Sequence, residues 1–268
     1  MTLGFSVDTL LPKARGGGQL RMGLVKLEEH QWLQPAPDLA ARAEGFASWP
    51  QGVQLTPEAA APGRELAAML GIPGALPEAA LATHEDLCLL TKCDDEDVYR
   101  LIGAAVAWPS DWHPAQKIGL PLRALHAPIA GYEEQLATGV DRFMETLRPG
   151  PIYARCNWFI AATGERRWLP DRPPAEAFAH VTPENAGETL FVRSERQTLR
   201  RLPQTGAILF TIGIYVEPLG RLSPANIAML GKAVQSLVSG TDGVVNETDR
   251  RGAPAYADSL AAFTQRSV

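Results

Sequence analysis

The sequence predicts an α+β domain, an antiparallel sheet with helices packed against it. Two observations predict this. Runs rich in β-branched and aromatic residues come as close neighbours: 190–193, 197–202 and 207–216 follow one another, and 87–90 is followed by 99–108. Helical spacings lie before, between and after these runs and do not alternate strictly with them, as a parallel doubly wound sheet would require.

In chain order, residues 1–80 read as a loop-rich helical extension packing on the core. Gly16-Gly17-Gly18 and Pro35-Ala36-Pro37 interrupt it, and helices are predicted near 37–48 and 57–70, the second with Leu66, Met69 and Leu70 as a narrow apolar stripe. The core spans 81–240. In it, 87–90 and 99–108 flank the polar link Cys93-Asp94-Asp95-Glu96-Asp97 and read as a hairpin. Val98, Leu101, Ile102, Ala105 and Val106 also fit one helix face, and periodicity alone does not decide between the two. The clearest helix is 132–147, where Leu136, Val140, Phe143, Met144 and Leu147 recur at helical spacing before Gly150 and Pro151. Ile152–Ala161 follows as a strand, then a proline-marked loop at 171–174. Three further strands come next, the last two joined by the turn Pro203-Gln204-Thr205-Gly206. Ser223 as N-cap and Pro224 at the first helical position open a long helix to about 237. Residues 241–268 read as a C-terminal tail.

Composition narrows the function. At 268 residues, 46% apolar and 21% charged, the chain is an ordinary globular protein of one large or two small domains. Its net charge is −5, and no basic run exceeds the pairs Arg200-Arg201 and Arg250-Arg251, which argues against a nucleic-acid partner. No apolar run reaches the length of a membrane span. Asp8 inside the first apolar stretch, with Lys13 and Arg15 after it, is the wrong order for a secretory signal, so the cytoplasm is the expected compartment. Cys88, Cys93 and Cys156 are an odd, sparse set that cannot make a disulfide framework or supply an ordinary iron–sulfur cluster. The glycine spacings that cradle a diphosphate are missing, as are G-x-S-x-G and H-E-x-x-H. No two of His30, His84, His113, His126 and His180 are four residues apart. If the chain carries out oxidation, its electrons must come from another chain.

Several blocks carry a resemblance: R-M-G-L at 21–24, D-D-E-D-V-Y-R-L at 94–101, Pro109-Ser110 with Trp112, K-I-G-L-P-L at 117–122, H-A-P-I-A-G-Y at 126–132, R-C-N-W at 155–158, R-S-E-R-Q-T-L-R-R-L-P at 193–203 and G-A-I-L-F-T-I at 206–212. In this order and spacing the chain resembles the haem-dependent oxidative N-demethylase alpha-subunit-like family, from about residue 20 to 240. The resemblance implies a PAS-like antiparallel sheet flanked by helices and holding haem b. It implies a monooxygenase-type reaction in which dioxygen and electrons from separate reductase subunits convert a small secondary methylamine to a primary amine and formaldehyde. Two places depart from the pattern: Gly213 stands where a basic residue is expected in its strand, and the match weakens after Gly240.

Beside that resemblance, the residues divide by chemistry. His126, among Leu125, Ala127, Pro128 and Ile129, is the candidate axial ligand of the iron, against the plainer role of a hydrogen-bonded loop histidine. His113 is its rival, with capping or surface exposure the plainer role; His30, His84 and His180 are expected at the surface. Glu195 and Arg196 are the catalytic candidates. A carboxylate can hold a cationic amine and relay protons, and a guanidinium can hold bound oxygen or the carboxylate itself; on a strand the two point to opposite faces. Lys117, Arg155, Arg200 and Arg201 are candidates for the haem propionates, and Tyr132 and Trp158 for the pocket wall. Cys93 lies beside an acidic cluster that disfavours its thiolate. The competing function is a non-catalytic PAS-like module that binds haem or another small ligand and senses it.

Overall fold

A computed structural model describes residues 5–11, 22–92, 98–129, 131–239 and 252–267. Seven strands form one sheet in the order β1-β5-β6-β7-β3-β4-β2: β1 (Val25–Leu27), β2 (Val53–Leu55), β3 (Asp86–Lys92), β4 (Tyr99–Ala105), β5 (Ile152–Ala161), β6 (Phe191–Arg201) and β7 (Ile208–Pro218). Every neighbouring pair is antiparallel. The helices are α1 (Val7–Leu10), α2 (Leu39–Ala47), α3 (Ala60–Met69), α4 (Leu76–Leu81), α5 (Pro114–Lys117), α6 (Leu122–His126), α7 (Thr138–Thr146), α8 (Pro174–Ala177), α9 (Ala186–Thr189), α10 (Pro224–Ser239) and α11 (Ala253–Ser267). An antiparallel sheet flanked by helices is what the sequence predicts. Among the described residues no helix is long and apolar enough to cross a membrane.

The sheet has two covered faces. On the back, Val192 and Tyr215 pack with α1, α10 and α11, and Leu87, Leu89 and Leu209 pack with Trp32, α3 and α4. On the front, Leu90, Tyr153, Leu199, Ile208 and Phe210 pack with α6 and α7, while Ile212 and Ile214 meet Trp108 and Trp112. This double cover explains β3 and β4. Leu87 and Leu89 serve one face and Cys88 and Leu90 the other, so the run is continuously apolar, and the pair is a hairpin rather than a helix. The link 93–97 lies outside the described residues.

One expectation needs correction. The stretches 190–193 and 197–202 are not separate strands: β6 runs unbroken from Phe191 to Arg201, paired along its length with β7 and, through Arg200, with β5. The polar run Ser194-Glu195-Arg196 looks like a break but lies in the ladder, each side chain buried against partners on its own face. The edge strands β1 and β2, three residues each, are too short to show alternation and were not predicted.

The predicted helix at 132–147 begins as a π-turn, Glu133–Ala137, and continues as α7. The long helix opens at Pro224 as expected, but the Ser223 hydroxyl donates to Asp8 Oδ1 (2.9 Å). The same carboxylate oxygen accepts the Ser223 N–H (2.8 Å) and Asn226 Nδ2 (2.6 Å), so α1 tethers the start of α10. At the other face of α10, Gly231 lets α11 approach closely: a Cβ there would lie 2.7 Å from Thr264 Oγ1.

Candidate functional site

The front face acquires its chemistry from a short segment that crosses over it. Pro121 precedes α6, and His126 ends that helix, where Nδ1 lies 2.8 Å from the Leu122 carbonyl one turn back. A carbonyl only accepts, so Nδ1 carries the proton and Nε2 the lone pair. The chain then reverses through Gly131, whose φ of 74° suits glycine, and returns Tyr132 onto the histidine. The rings stack with centroids 4.5 Å apart and planes 8° from parallel. Burial is the main force pulling the His126 pKa below the usual imidazole value; the bond to Leu122 opposes it, and the charges of Lys117 and Arg155 add to it. At neutral pH the ring is therefore uncharged, with its protonated nitrogen held and the other left as a donor of electrons.

Two cations flank this ring. Lys117, at the end of α5, donates to the Leu125 carbonyl (3.1 Å), and burial lowers its pKa. Arg155, half-buried on the front of β5, makes no hydrogen bond or ion pair among the described residues; burial lowers its pKa, and the more distant charge of Glu195 partly offsets that. Glu195 is buried on β6 directly across from Asn157. Its Oε2 accepts Asn157 Nδ2 (3.0 Å) and Gln197 Nε2 (3.2 Å). Tyr132 is 4% exposed, and its hydroxyl is buried without a partner; burial pushes its pKa up to about 12.

The structure thus brings His126, Tyr132, Lys117, Arg155 and Glu195 to the front face. It does not bring the other four there as free groups. Arg196 lies on the back, donating to the carbonyls of Trp32 (2.9 Å) and Gln31 with its guanidinium over the Phe5 ring. Trp158 packs in the back core. Arg200 is also on the back, paired with Glu29 (2.6 Å) and stacked on Trp32. Arg201 points forward but at the far end of β6, where the Leu147, Gly206 and Met144 carbonyls and the Tyr99 hydroxyl accept from it.

His84 is a correction: expected at the surface, it is 7% exposed, wedged between Trp108 and Tyr215 and bonded through Nε2 to the Ile214 carbonyl (3.1 Å). Gly213 pairs with Arg196 on the back, where a Cβ would lie 3.1 Å from the Tyr215 ring. Its missing side chain therefore takes nothing from the face that carries His126. Cys93 lies outside the described residues. Sequence reasoning missed Asn157 and Gln197. The signal was available, because each stands two residues along its strand from a residue already singled out, Arg155 or Glu195, and so shares its face. Two surface hollows lie elsewhere, one lined by Trp168, Pro170 and Phe178 and the other by Lys92, Tyr99 and Arg201.

On the front of the sheet, a neutral imidazole thus lies near two cations to which no acid is bound among the described residues. Residues 72–246 match the family model described as haem-dependent oxidative N-demethylase, alpha subunit-like, and the chain belongs to that family. Its residues fit the group that description names. Among the described residues no three of His, Cys, Asp and Glu converge as a metal cluster, and a porphyrin needs none, since its macrocycle supplies the equatorial nitrogens. An imidazole with one nitrogen unengaged would suit the iron of such a group, and the nearby cations would suit its propionates.

Proposed function

We propose that the protein is a cytoplasmic, haem b-dependent monooxygenase that demethylates a small secondary methylamine, using dioxygen and electrons from separate reductase subunits. The observation that carries the reading is His126, neutral, with Nδ1 fixed on Leu122 and its ring stacked on Tyr132, so that Nε2 is left unengaged and would ligate the iron of a bound haem. Lys117 and Arg155 would hold the propionates, and Tyr132 would wall the pocket. Bound haem supplies the dioxygen chemistry that no side chain provides. In the overall change, dioxygen, an electron pair and two protons turn the N-methyl group into formaldehyde and water and free the primary amine.

The chain's own residues supply binding and protons. Glu195, held by the Asn157 and Gln197 amides, attracts the ammonium form of the amine and keeps it on the front face. The same carboxylate can take the proton that the amine must lose before oxidation and pass it on. Gly213, the departure from the family pattern, belongs to the back face and so does not count against this reading.

The test is spectroscopic first. Protein purified from haem-supplemented cells should show a Soret band that shifts or disappears in His126→Ala; an unchanged band removes the assignment. With a supplied electron donor, dimethylamine should then yield formaldehyde, and Glu195→Gln should lower that yield by about a hundredfold. Haem binding without formaldehyde from any N-methylamine would favour the sensor.

A further inference from the structure

Asn157 faces Glu195 across the β5–β6 ladder and is half-buried. Its Nδ2 donates to Glu195 Oε2 (3.0 Å), and its Oδ1 is buried and accepts nothing. Charge fixes this orientation: turning the amide over would set its oxygen against the carboxylate. Both hydrogen bonds to the Glu195 side chain fall on Oε2, leaving Oε1 with no donor among the described residues. Two acceptors, one of them anionic, therefore stand on cross-strand partners, spaced as such side chains are, by about 5 Å at Cβ. The buried Asn157 Oδ1 is costly to leave without a donor, and beside the anionic Glu195 it calls for a cation that brings N–H groups.

We infer that Asn157 determines specificity: its Oδ1 and Glu195 form a two-acceptor cradle for a small ammonium with at least two N–H bonds. That describes a protonated secondary or primary alkylamine; a tertiary ammonium offers one N–H and a quaternary one none. The inference rests on the proposal above that Glu195 receives the amine. It adds a rule of discrimination that apolar contact cannot supply, since extra methyl groups alone would favour the more substituted amines.

The experiment measures binding, not turnover. The haem-loaded protein is titrated calorimetrically with dimethylammonium, trimethylammonium and tetramethylammonium chlorides. Dimethylammonium should bind about tenfold or more tightly than trimethylammonium, the loss expected for one charge-assisted hydrogen bond, with tetramethylammonium weakest. In Asn157→Ala the dimethylammonium affinity should fall about tenfold and that of trimethylammonium should hold, so that the two converge. Trimethylammonium binding the wild type as tightly as dimethylammonium overturns the inference, and that comparison stands even if the variant fails to fold. Glu195→Gln separates the two layers. If it loses all three ligands while Asn157→Ala keeps the wild-type ratio, the cradle fails and the amine reading survives. If Glu195→Gln binds dimethylammonium undiminished, both fall.

Discussion

The back and front faces of the sheet carry similar polar residues and use them differently. On the back, Arg196 and Arg200 end in carbonyls, a carboxylate and aromatic faces. On the front, Arg155 makes no hydrogen bond among the described residues, Asn157 keeps an open oxygen, and the His126 Nε2 is left available. The histidines repeat the contrast, since His84 engages Nε2 on a backbone carbonyl while His126 engages Nδ1 and leaves Nε2. Residue type and burial do not separate structural from functional groups here. Remaining hydrogen-bonding capacity at the ends of these side chains is the better guide, but it is not confined to the front: among the described residues Trp32 Nε1 and Arg200 Nε on the back are also buried without a partner, and Arg201 on the front is engaged.

That contrast can be broken by substitution. The largest effect belongs to an arginine that is wholly engaged. Arg42, fully buried, donates to Asp86 Oδ1 (2.8 Å) and to the carbonyls of Ala80 and Glu85. Arg42→Met strands the Asp86 charge in the interior and should cost about 3–5 kcal/mol in urea unfolding; a loss under 1 kcal/mol would mean that engagement is a poor guide to structural role. Next comes His84, whose pKa burial lowers to about 4, with the bond to the Ile214 carbonyl and the charge of Asp38 opposing and those of Arg42 and Arg166 adding. The fold favours its neutral form, so its contribution is fully present above the unfolded value of about 6.5 and is lost as pH falls towards 4, about 3 kcal/mol in all. Glu85, whose pKa burial raises, acts in the opposite sense, so the measurement is the difference between wild type and His84→Gln across that window. The smallest effect is the most telling. Arg196→Met should lose about 1–3 kcal/mol through carbonyls left without donors and keep its haem. Arg155→Met should change stability by no more than about 0.5 kcal/mol and retain haem poorly. Equal stability losses in that pair would erase the distinction between the faces.

Much of the fold was legible. Ile152–Ala161 and the run at 207–216 announce themselves by β-branched and aromatic residues, and 132–147 by its spacing. What escaped was β6 as one strand, since buried ion and hydroxyl partners are invisible in a linear pattern and Ser194-Glu195-Arg196 resembles a loop. The site was legible only in part for a related reason. Alternation says that Glu195 and Arg196 face opposite ways, but not which way is the front. That depends on where α6 and α7 pack, through contacts such as Leu125 and Phe143 against Phe210 and Tyr153. His126 came from its motif. The bond that orients it, four residues back to Leu122, could have been guessed had a helix been expected before the histidine.

The Asp8 tether carries a consequence for how the molecule is made. Its partner Ser223 lies 215 residues downstream, so the clasp cannot form until most of the polypeptide has been synthesised. Until then, the apolar side of β6 and β7 that α10 will cover stays wet and available to other chains. Asp8→Asn should therefore show itself first in the yield of refolding from denaturant, with more aggregate at high protein concentration, before any change appears in the finished protein.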